Sequence, residues 1–141
     1  LEGNLEIRYD PSEWEEQPPD SETPDITNQF GHSSGEAVMY IIAERAEIPA
    51  ETVREVSLEN VRDVGENARV TSRGSRTVNG VELLFQEIET MVEGFPVVYT
   101  GHFYSDRNGS IQILGMALQN LLDEHRGSME RFAAGFEVTG R

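Results

Sequence analysis

Residues 67–92 read NARVTSRGSRTVNGVELLFQEIETMV, and this stretch decides the fold class. Asn79-Gly80 separates a polar run, 67–78, from a more apolar run, 81–92. Asn-Gly is the dipeptide that two-residue hairpin turns prefer, because both turn positions need a positive φ. The two runs are therefore predicted to be directly paired antiparallel strands.

The apolar residues of the second run change parity along its length. The positions expected to point inward are Val81, Leu83, Phe85, Ile88 and Val92. The change falls near Gln86 and Glu87. Because successive side chains of a strand point to opposite faces, this pattern predicts either a β-bulge or burial on both faces.

Further turn sequences extend the hairpin into a larger sheet. Glu93-Gly94 and the segment 106–109 are rich in turn formers, so residues 95–105 and 110–117 are predicted to be the next strands. Upstream, a turn at 33–35 separates two more predicted strands, 26–32 and 36–47. A first strand is predicted at 5–9.

The run from Ala37 to Ala43 is apolar at every position. A strand that is covered on only one face alternates between apolar and polar residues, whereas a strand covered on both faces does not. The run therefore predicts a central strand with both faces covered.

Two helices are predicted, one over residues 49–64 and one over residues 118–135. Pro49 suits a first helical turn, and Gly65 suits a helix end. Ser57 is a candidate restart point in the first helix, and Gly127-Ser128 a candidate break in the second. Together the elements predict one α+β domain over residues 1–141, with an antiparallel sheet flanked by helices as an α/β/α sandwich.

The chain is strongly acidic. It has 26 Asp and Glu against 11 basic residues, all of them Arg, and a formal net charge of −15. Such a surface repels phosphate backbones and anionic lipid, so nucleic-acid binding and direct membrane insertion are not expected. A GC-rich genome and a salt-adapted host both explain the absence of Lys, and they are not mutually exclusive.

The first 25 residues carry much of this charge, with nine acids and one Arg. Residues 15–25 have no apolar side chain and are predicted to be an exposed, acidic, Pro-rich loop. Trp14 precedes this loop. We expect its side chain to be buried and to anchor the start of the loop, because Trp buries a large area.

No histidine has a convincing partner in the sequence. His32, His102 and His125 share no metal-ligand spacing, so neither a metal site nor a catalytic role is expected. His125 lies on the apolar stripe of the closing helix, where a core-edge position is the simpler interpretation. The chain has no cysteine, which excludes disulfides and thiolate chemistry.

Two groups of charged residues remain as candidate contacts. Glu87 and Glu89 lie on one strand face, where paired carboxylates can perform acid–base work, although acids this numerous form such pairs by chance. Arg69, Arg73 and Arg76 form a basic cluster that could hold a carboxylate or phosphate, or pair with neighbouring acids. No serine-nucleophile or phosphate-loop motif is present, and no cofactor is expected.

The order of these signals resembles the PsbP-like domain family, which includes DcrB-type bacterial lipoproteins. A strand followed by Tyr9-Asp10-Pro11-Ser12-Glu13-Trp14 is similar to that family's "YP..W" opening. Val78-Asn79-Gly80 stands at its "ING" turn, and Ala134-Gly135-Phe136 at its "SF" ending. Asp10 interrupts the usual Tyr-Pro pair, and Gly135 replaces the usual serine.

The resemblance implies a sheet sandwiched by helices, used for binding or assembly and not for catalysis. We therefore expect a non-enzymatic domain of a bacterial envelope protein with a protein partner. Its oligomeric state is left open. The chain starts without methionine, as expected of a mature or trimmed fragment whose signal segment lies upstream. A cytoplasmic protein of a salt-adapted organism is the alternative location.

The alternative function is an enzyme or small-ligand binder with a pocket between sheet and helix. His102, Tyr104 and Glu87 are the residues expected to line such a pocket. A pocket with converging polar groups and shifted pKa values would favour this alternative.

If the acidic surface repels itself, concentrated salt should stabilise the fold. We expect the Tm to rise between about 0.1 M and about 1 M potassium chloride, because salt screens exposed charges. Calorimetry on the parent and on a variant with the acids of 15–25 changed to amides measures this, and the variant should gain less. A Tm that does not respond to salt in the parent would favour the genome-composition explanation.

Overall fold

A computed structural model describes residues 5–18 and 27–139. Within these ranges the chain forms a seven-stranded antiparallel sheet and a separate two-stranded sheet. The strands are β1 (Leu5–Ile7), β2 (Trp14–Gln17), β3 (Asn28–His32), β4 (Ala37–Glu44), β5 (Glu66–Val78), β6 (Val81–Val92), β7 (Phe95–Asp106), β8 (Gly109–Leu118) and β9 (Phe136–Val138). The order in the large sheet is β2-β3-β4-β8-β7-β6-β5. The predicted α+β class and antiparallel sheet are confirmed.

The hairpin around Asn79-Gly80 has the predicted pairing. Val78 pairs with Val81, and the two turn residues have φ values of 48° and 82°. The Asn79 amide also donates to the carbonyl oxygens of Ala134 at 3.1 Å and Phe136 at 2.7 Å. The turn therefore joins two strands and holds the end of the chain against the sheet.

The parity change in β6 predicts either a β-bulge or burial on both faces, and the structure contains both. Register shifts lie opposite it in β5, between Glu66 and Arg69 and between Val70 and Ser72. The bulges are thus in the partner strand and not in β6 itself. In β6, Phe85 and Ile88 are both buried although their side chains point to opposite faces, so this strand is covered on two sides.

The first helix, α1, runs unbroken from Ala50 to Val64, so the predicted restart at Ser57 is wrong. Ser57 is buried in the middle of the helix. The second helix, α2, spans Leu122–Ala134 after a short 3-10 turn at Gln119–Leu121. It passes through Gly127-Ser128 without a break, and Leu118 belongs to β8. Neither helix in the described ranges is long and apolar enough to cross a membrane.

The small sheet pairs the beginning of the described chain with its end. β1 runs antiparallel to β9, and the Arg8 amide donates to the Gly135 carbonyl oxygen at 2.9 Å. A Cβ atom at position 135 would lie 1.8 Å from the Arg8 carbonyl oxygen. Only glycine fits this close approach, which explains why serine is absent here.

The main core lies between α2 with the small sheet and one face of the large sheet. Its largest fully buried side chains include Trp14, Met39, Phe132 and Phe136. Trp14 begins the edge strand β2, so the prediction of a loop from residue 15 is wrong as far as Gln17. Main-chain pairing with β3 holds these polar residues in a strand. Residues 19–25 of the predicted loop, and residue 26 of the strand predicted after it, lie outside the described ranges.

The prediction of a central strand is confirmed, because β4 lies inside the large sheet, but only one of its faces is fully covered. Ala37, Met39 and Ile41 are buried against α2, whereas Val38, Tyr40 and Ile42 are only half-buried on the α1 side. The uniform apolar composition of β4 therefore includes a row of apolar side chains that the described chain leaves partly open to solvent.

Trp14 is 2% exposed, and its ring lies 5.5 Å from Phe132 and 5.0 Å from His32. We expect Trp14→Ala to lower the free energy of unfolding by about 3–5 kcal/mol, because it leaves a cavity in the core. Denaturant unfolding measures this. Trp14→Phe, which keeps one ring, should lose less. A Trp14→Ala protein as stable as the parent would contradict the anchor role.

Candidate functional site

A cavity of about 180 Å³ lies between α1 and the large sheet. It is open on one side, and its surface is almost entirely apolar. The sheet contributes Tyr40, Ile42, Gln86, Ile88, Tyr99, Thr100, Gly101, Phe103 and Leu114, and α1 contributes Ser57, Asn60, Val61 and Val64. We call this cavity with its open side the α1 groove.

The register of four strands produces the floor of the α1 groove. Tyr40 pairs with Leu114, Leu114 with Gly101, and Gly101 with Gln86, so these side-chain positions share one face. A Cβ atom at Gly101 would lie 2.5 Å from the Phe103 ring. The glycine therefore lets the ring fold over the backbone, and the space above it remains empty.

Apolar side chains continue beyond the mouth of the α1 groove. Val38 pairs with Met116, and Met116 with Tyr99, which places another half-buried row on the same face. Val64, at the end of α1, is 63% exposed although it lines the groove. A continuous apolar strip thus extends from the cavity to the surface.

The polar side chains that line the α1 groove are uncharged, and one of them is hydrogen-bonded within the protein. The Gln86 side chain accepts two hydrogen bonds from Arg73 and donates to the Arg54 carbonyl oxygen at 3.3 Å. Ser57 and Asn60 are neutral. Burial raises the pKa of Tyr99. Among the described residues of the lining, no carboxylate, imidazole or guanidinium faces the cavity, so the groove suits apolar contact and not acid–base chemistry.

The residues predicted to line a pocket between sheet and helix do not reach the α1 groove. They lie on the opposite face of the sheet from it: His102, Tyr104 and Glu87. His102 packs on Phe85, with ring centroids 5.1 Å apart, over a void of only about 10 Å³. Tyr104 packs on Phe136 and donates to Asp106 at 3.0 Å. Strand alternation places all three on the side of the sheet that carries α2 and the small sheet.

The other charged candidates are paired with neighbouring residues. Arg126 donates to Glu87 at 2.7 Å, and Arg69 to Glu89 at 2.5 Å. Arg73 contacts Glu55 and Gln86. Arg76 lies 4.0 Å above the Phe85 ring, and its guanidinium is 3.6 Å from a Glu130 carboxylate oxygen. The bulges of β5 turn Arg69 and Arg73 toward different faces. The three arginines therefore form no single anion site.

Two histidines that are distant in sequence meet at the start of α2. The rings of His32 and His125 lie 4.7 Å apart. His125 Nε2 lies 2.8 Å from a Glu36 carboxylate oxygen, and Glu124 is adjacent. Sequence spacing missed this cluster because its contacts join residues 89 positions apart. The run of polar residues around Glu36 gave no periodic signal that could have revealed it.

Glu13 lies beside this histidine cluster and interacts electrostatically with His32. Hydrogen bonds from Arg131 and Ser128 hold the pKa of Glu13 down at about 2. Its carboxylate is thus occupied by α2. Burial, followed by the nearby His125, lowers the pKa of His32.

Comparison with known proteins identifies the fold. No family model matches the chain, and no curated protein matches it in sequence. Among solved structures, cyanobacterial PsbP (CyanoP) from Synechocystis sp. PCC 6803 aligns with a TM-score of 0.65 and 16% identity, covering 96% of this chain and 92% of that one. LpqN, involved in cell envelope biogenesis of Mycobacterium tuberculosis, aligns with a TM-score of 0.66 and 11% identity over 96% of this chain and 83% of that one.

A third solved structure extends the comparison. A protein of unknown function from Pseudomonas aeruginosa aligns with a TM-score of 0.58 and 12% identity, covering 100% of this chain and 85% of its own. At these identities the likeness establishes the fold, and the resemblance noted in the sequence is confirmed at that level. What the domain does has to be argued from its own residues.

His102 should make the fold sensitive to mild acid. Burial, and then the charge of Arg76, lowers its pKa from 6.5 to about 4, so between these values the unfolded chain binds more protons than the folded protein. The contribution of neutral His102 to the free energy of unfolding is fully present above pH 6.5, and it is lost as the pH falls toward about 4. When the pH is lowered from about 7 to about 5, the parent should lose about 2 kcal/mol more of its free energy of unfolding than His102→Phe does.

Denaturant unfolding at the two pH values measures the effect in parent and variant. The comparison uses the difference between the two proteins, because the many carboxylates contribute equally to both. Equal losses of stability in parent and His102→Phe would contradict the assignment of this acid sensitivity to His102.

Proposed function

We propose that this chain, which has the PsbP-like fold, is a non-enzymatic binding domain that holds an apolar side chain of a partner protein in the α1 groove. The observation that carries the proposal is an apolar cavity that opens onto an apolar strip of the sheet. The volume, about 180 Å³, exceeds the roughly 150 Å³ of an engineered cavity that holds benzene. One large aliphatic or aromatic side chain fits this space.

The surroundings of the α1 groove favour a protein partner over a small metabolite. Small-molecule sites usually add a few converging polar groups that fix the orientation of the ligand. Here the only nearby polar groups of the lining are neutral, and Gln86 is engaged by Arg73 and Arg54. The adjoining strip contains Tyr40, Tyr99 and Met116, and tyrosine and methionine are enriched in protein interfaces.

The groups with strongly shifted pKa values support a role without catalysis. Among the residues that the structure describes, Glu13 and His102 are the two whose pKa values move furthest, and both lie on the α2 side of the sheet. Glu13 is neutralised by Arg131, and His102 is enclosed over a void too small for a substrate. Neither reaches the α1 groove, which supports binding and not catalysis as the role of the cavity.

Charge indicates which partner segment the groove would accept. The chain carries a net charge of −15, and α1 alone has four acids against two arginines. A segment with Lys or Arg beside its apolar anchor would gain from this field during encounter. We therefore infer a basic partner segment with one large apolar residue at its centre.

We further propose that the domain belongs to a bacterial envelope protein, with a lipid anchor as one means of attachment. LpqN, which shares the fold, is described as involved in cell envelope biogenesis. The acidic, lysine-free surface is equally compatible with a cytoplasmic protein of a salt-adapted organism. Fractionation of the source cells, with an antibody against the domain, distinguishes the two locations.

Filling the α1 groove should abolish binding without unfolding the domain. Ser57 is 6% exposed and lines the cavity, so Ser57→Leu should occupy part of its volume. A displayed library of random peptides, selected on the parent, should yield sequences with a central Leu, Phe or Trp flanked by Lys or Arg. Their affinity for Ser57→Leu should fall at least about tenfold, which corresponds to about 1.4 kcal/mol.

Thr52→Leu is the matched control, because it adds the same side chain to an exposed position of α1 outside the lining. It should bind the selected peptides as the parent does, and both variants should melt as single transitions. Peptides that bind Ser57→Leu as tightly as the parent would overturn the groove as the site. Binding of the neutral dye N-phenyl-1-naphthylamine without any peptide enrichment would favour the small-ligand alternative.

A further inference from the structure

We propose that His125, Glu36 and Glu124 form a binding site for one divalent transition-metal ion of the zinc type. Their nitrogen and oxygen ligand atoms lie within 4.8 Å of one another at the beginning of α2. The site is on the other side of the sheet from the α1 groove and does not depend on the function proposed for it. It also replaces the expectation from the sequence that no histidine has a metal-binding role.

The sheet register brings these three residues together. Glu36 directly precedes β4, and Ala37 pairs with Ala117 near the end of β8. The chain then passes through the 3-10 turn into α2, whose first turn contains Glu124 and His125. The hydrogen-bonded ladder between β4 and β8 therefore fixes one carboxylate opposite the two helical ligands.

The distances suit a zinc ion after small side-chain rotations. Zinc binds His nitrogen and carboxylate oxygen at about 2.0–2.2 Å, so tetrahedral ligand atoms lie about 3.3 Å apart. His125 Nε2 and the Glu36 oxygen are 2.8 Å apart in a hydrogen bond, so zinc would replace the proton between them and move them apart by about 0.5 Å. His125 is 5% exposed and fixed in the core, while both carboxylates are exposed and can adjust. Three protein ligands leave a fourth position for water.

The type of ligand favours zinc over magnesium or calcium. An imidazole nitrogen suits zinc, copper and nickel, whereas magnesium and calcium prefer oxygen ligands throughout. The positive end of the α2 dipole opposes a bound cation at this position. The two ligand carboxylates, Glu36 and Glu124, supply negative charge that offsets it.

His32 is a neighbour of the site and not a fourth ligand. The Ser34 backbone amide donates to His32 Nδ1 at 3.1 Å, so the neutral ring carries its proton on Nε2. The ligand atoms that lie within 4.8 Å of one another belong to Glu36, Glu124 and His125 and do not include a His32 nitrogen. Trp14 packs edge-on against the His32 ring at 5.0 Å and restricts its rotation. The His32 ring forms a wall beside His125.

Titration of the chain, free of any affinity tag, with zinc chloride in a calorimeter tests the proposal. We expect one ion per chain, with binding retained in excess magnesium. Glu124→Gln should weaken zinc binding roughly tenfold or more, because it removes a charged ligand. Asp123→Asn removes the same charge from the neighbouring exposed residue and should change the affinity by less than about threefold, as expected for an exposed charge.

A spectroscopic measurement separates ligation from diffuse attraction to acids. Cobalt(II) should give visible absorption bands of a four-coordinate site in the parent and in Asp123→Asn. The bands should be absent in His125→Gln, whose folding is checked by circular dichroism. The proposal is overturned if the parent fails to bind zinc, or if Glu124→Gln and Asp123→Asn weaken binding equally. It is also overturned if cobalt gives the same spectrum in Glu124→Gln as in the parent.

Discussion

Packing of α2 and the small sheet against one face of the large sheet is the interaction on which the rest of the structure depends. Phe132 of α2 lies at its centre, with ring centroids 5.0 Å from Phe30, 5.5 Å from Trp14 and 5.9 Å from Tyr9. These separations are typical of favourable aromatic pairs. The three partners come from the first part of the chain, so the contacts close that part onto the C-terminal helix and place the edge strand β2 and its neighbour β3.

This packing leaves α1 as the main described cover of the other face. Seven strands at about 4.8 Å spacing span roughly 29 Å, whereas one helix with its side chains is about 10 Å wide. The buried contacts of α1, from Leu58 and Val61, reach Ile88 and its neighbours in β5 and β7. The α1 sides of β4 and β8 remain partly open. The α1 groove is thus a geometric consequence of covering a wide sheet with a single helix.

Local turn chemistry predicts most of this fold, whereas the candidate sites depend on distant pairings. Asn79-Gly80 sets its hairpin through the conformations of two residues, which the sequence displays directly. The strand at β2 is polar and exists through pairing with β3, so its residues alone indicate a loop. Likewise, the apolar run in β4 indicates burial, but not how many helices are available to provide it. The histidine cluster needs the pairing of Ala37 with Ala117 before its members meet.

The two proposed sites share β4, which raises the question of whether they communicate. Glu36 precedes this strand, and Val38 and Tyr40 on it lie along the open apolar face. A metal ion would change the affinity of the α1 groove only if β4 had two arrangements that the ion binds differently. Antiparallel pairing with β8 from Ala37 to Glu44 and with β3 on the other side opposes such movement. A metal at the start of α2 would therefore stabilise the closed core, while the groove on the opposite face keeps its own affinity.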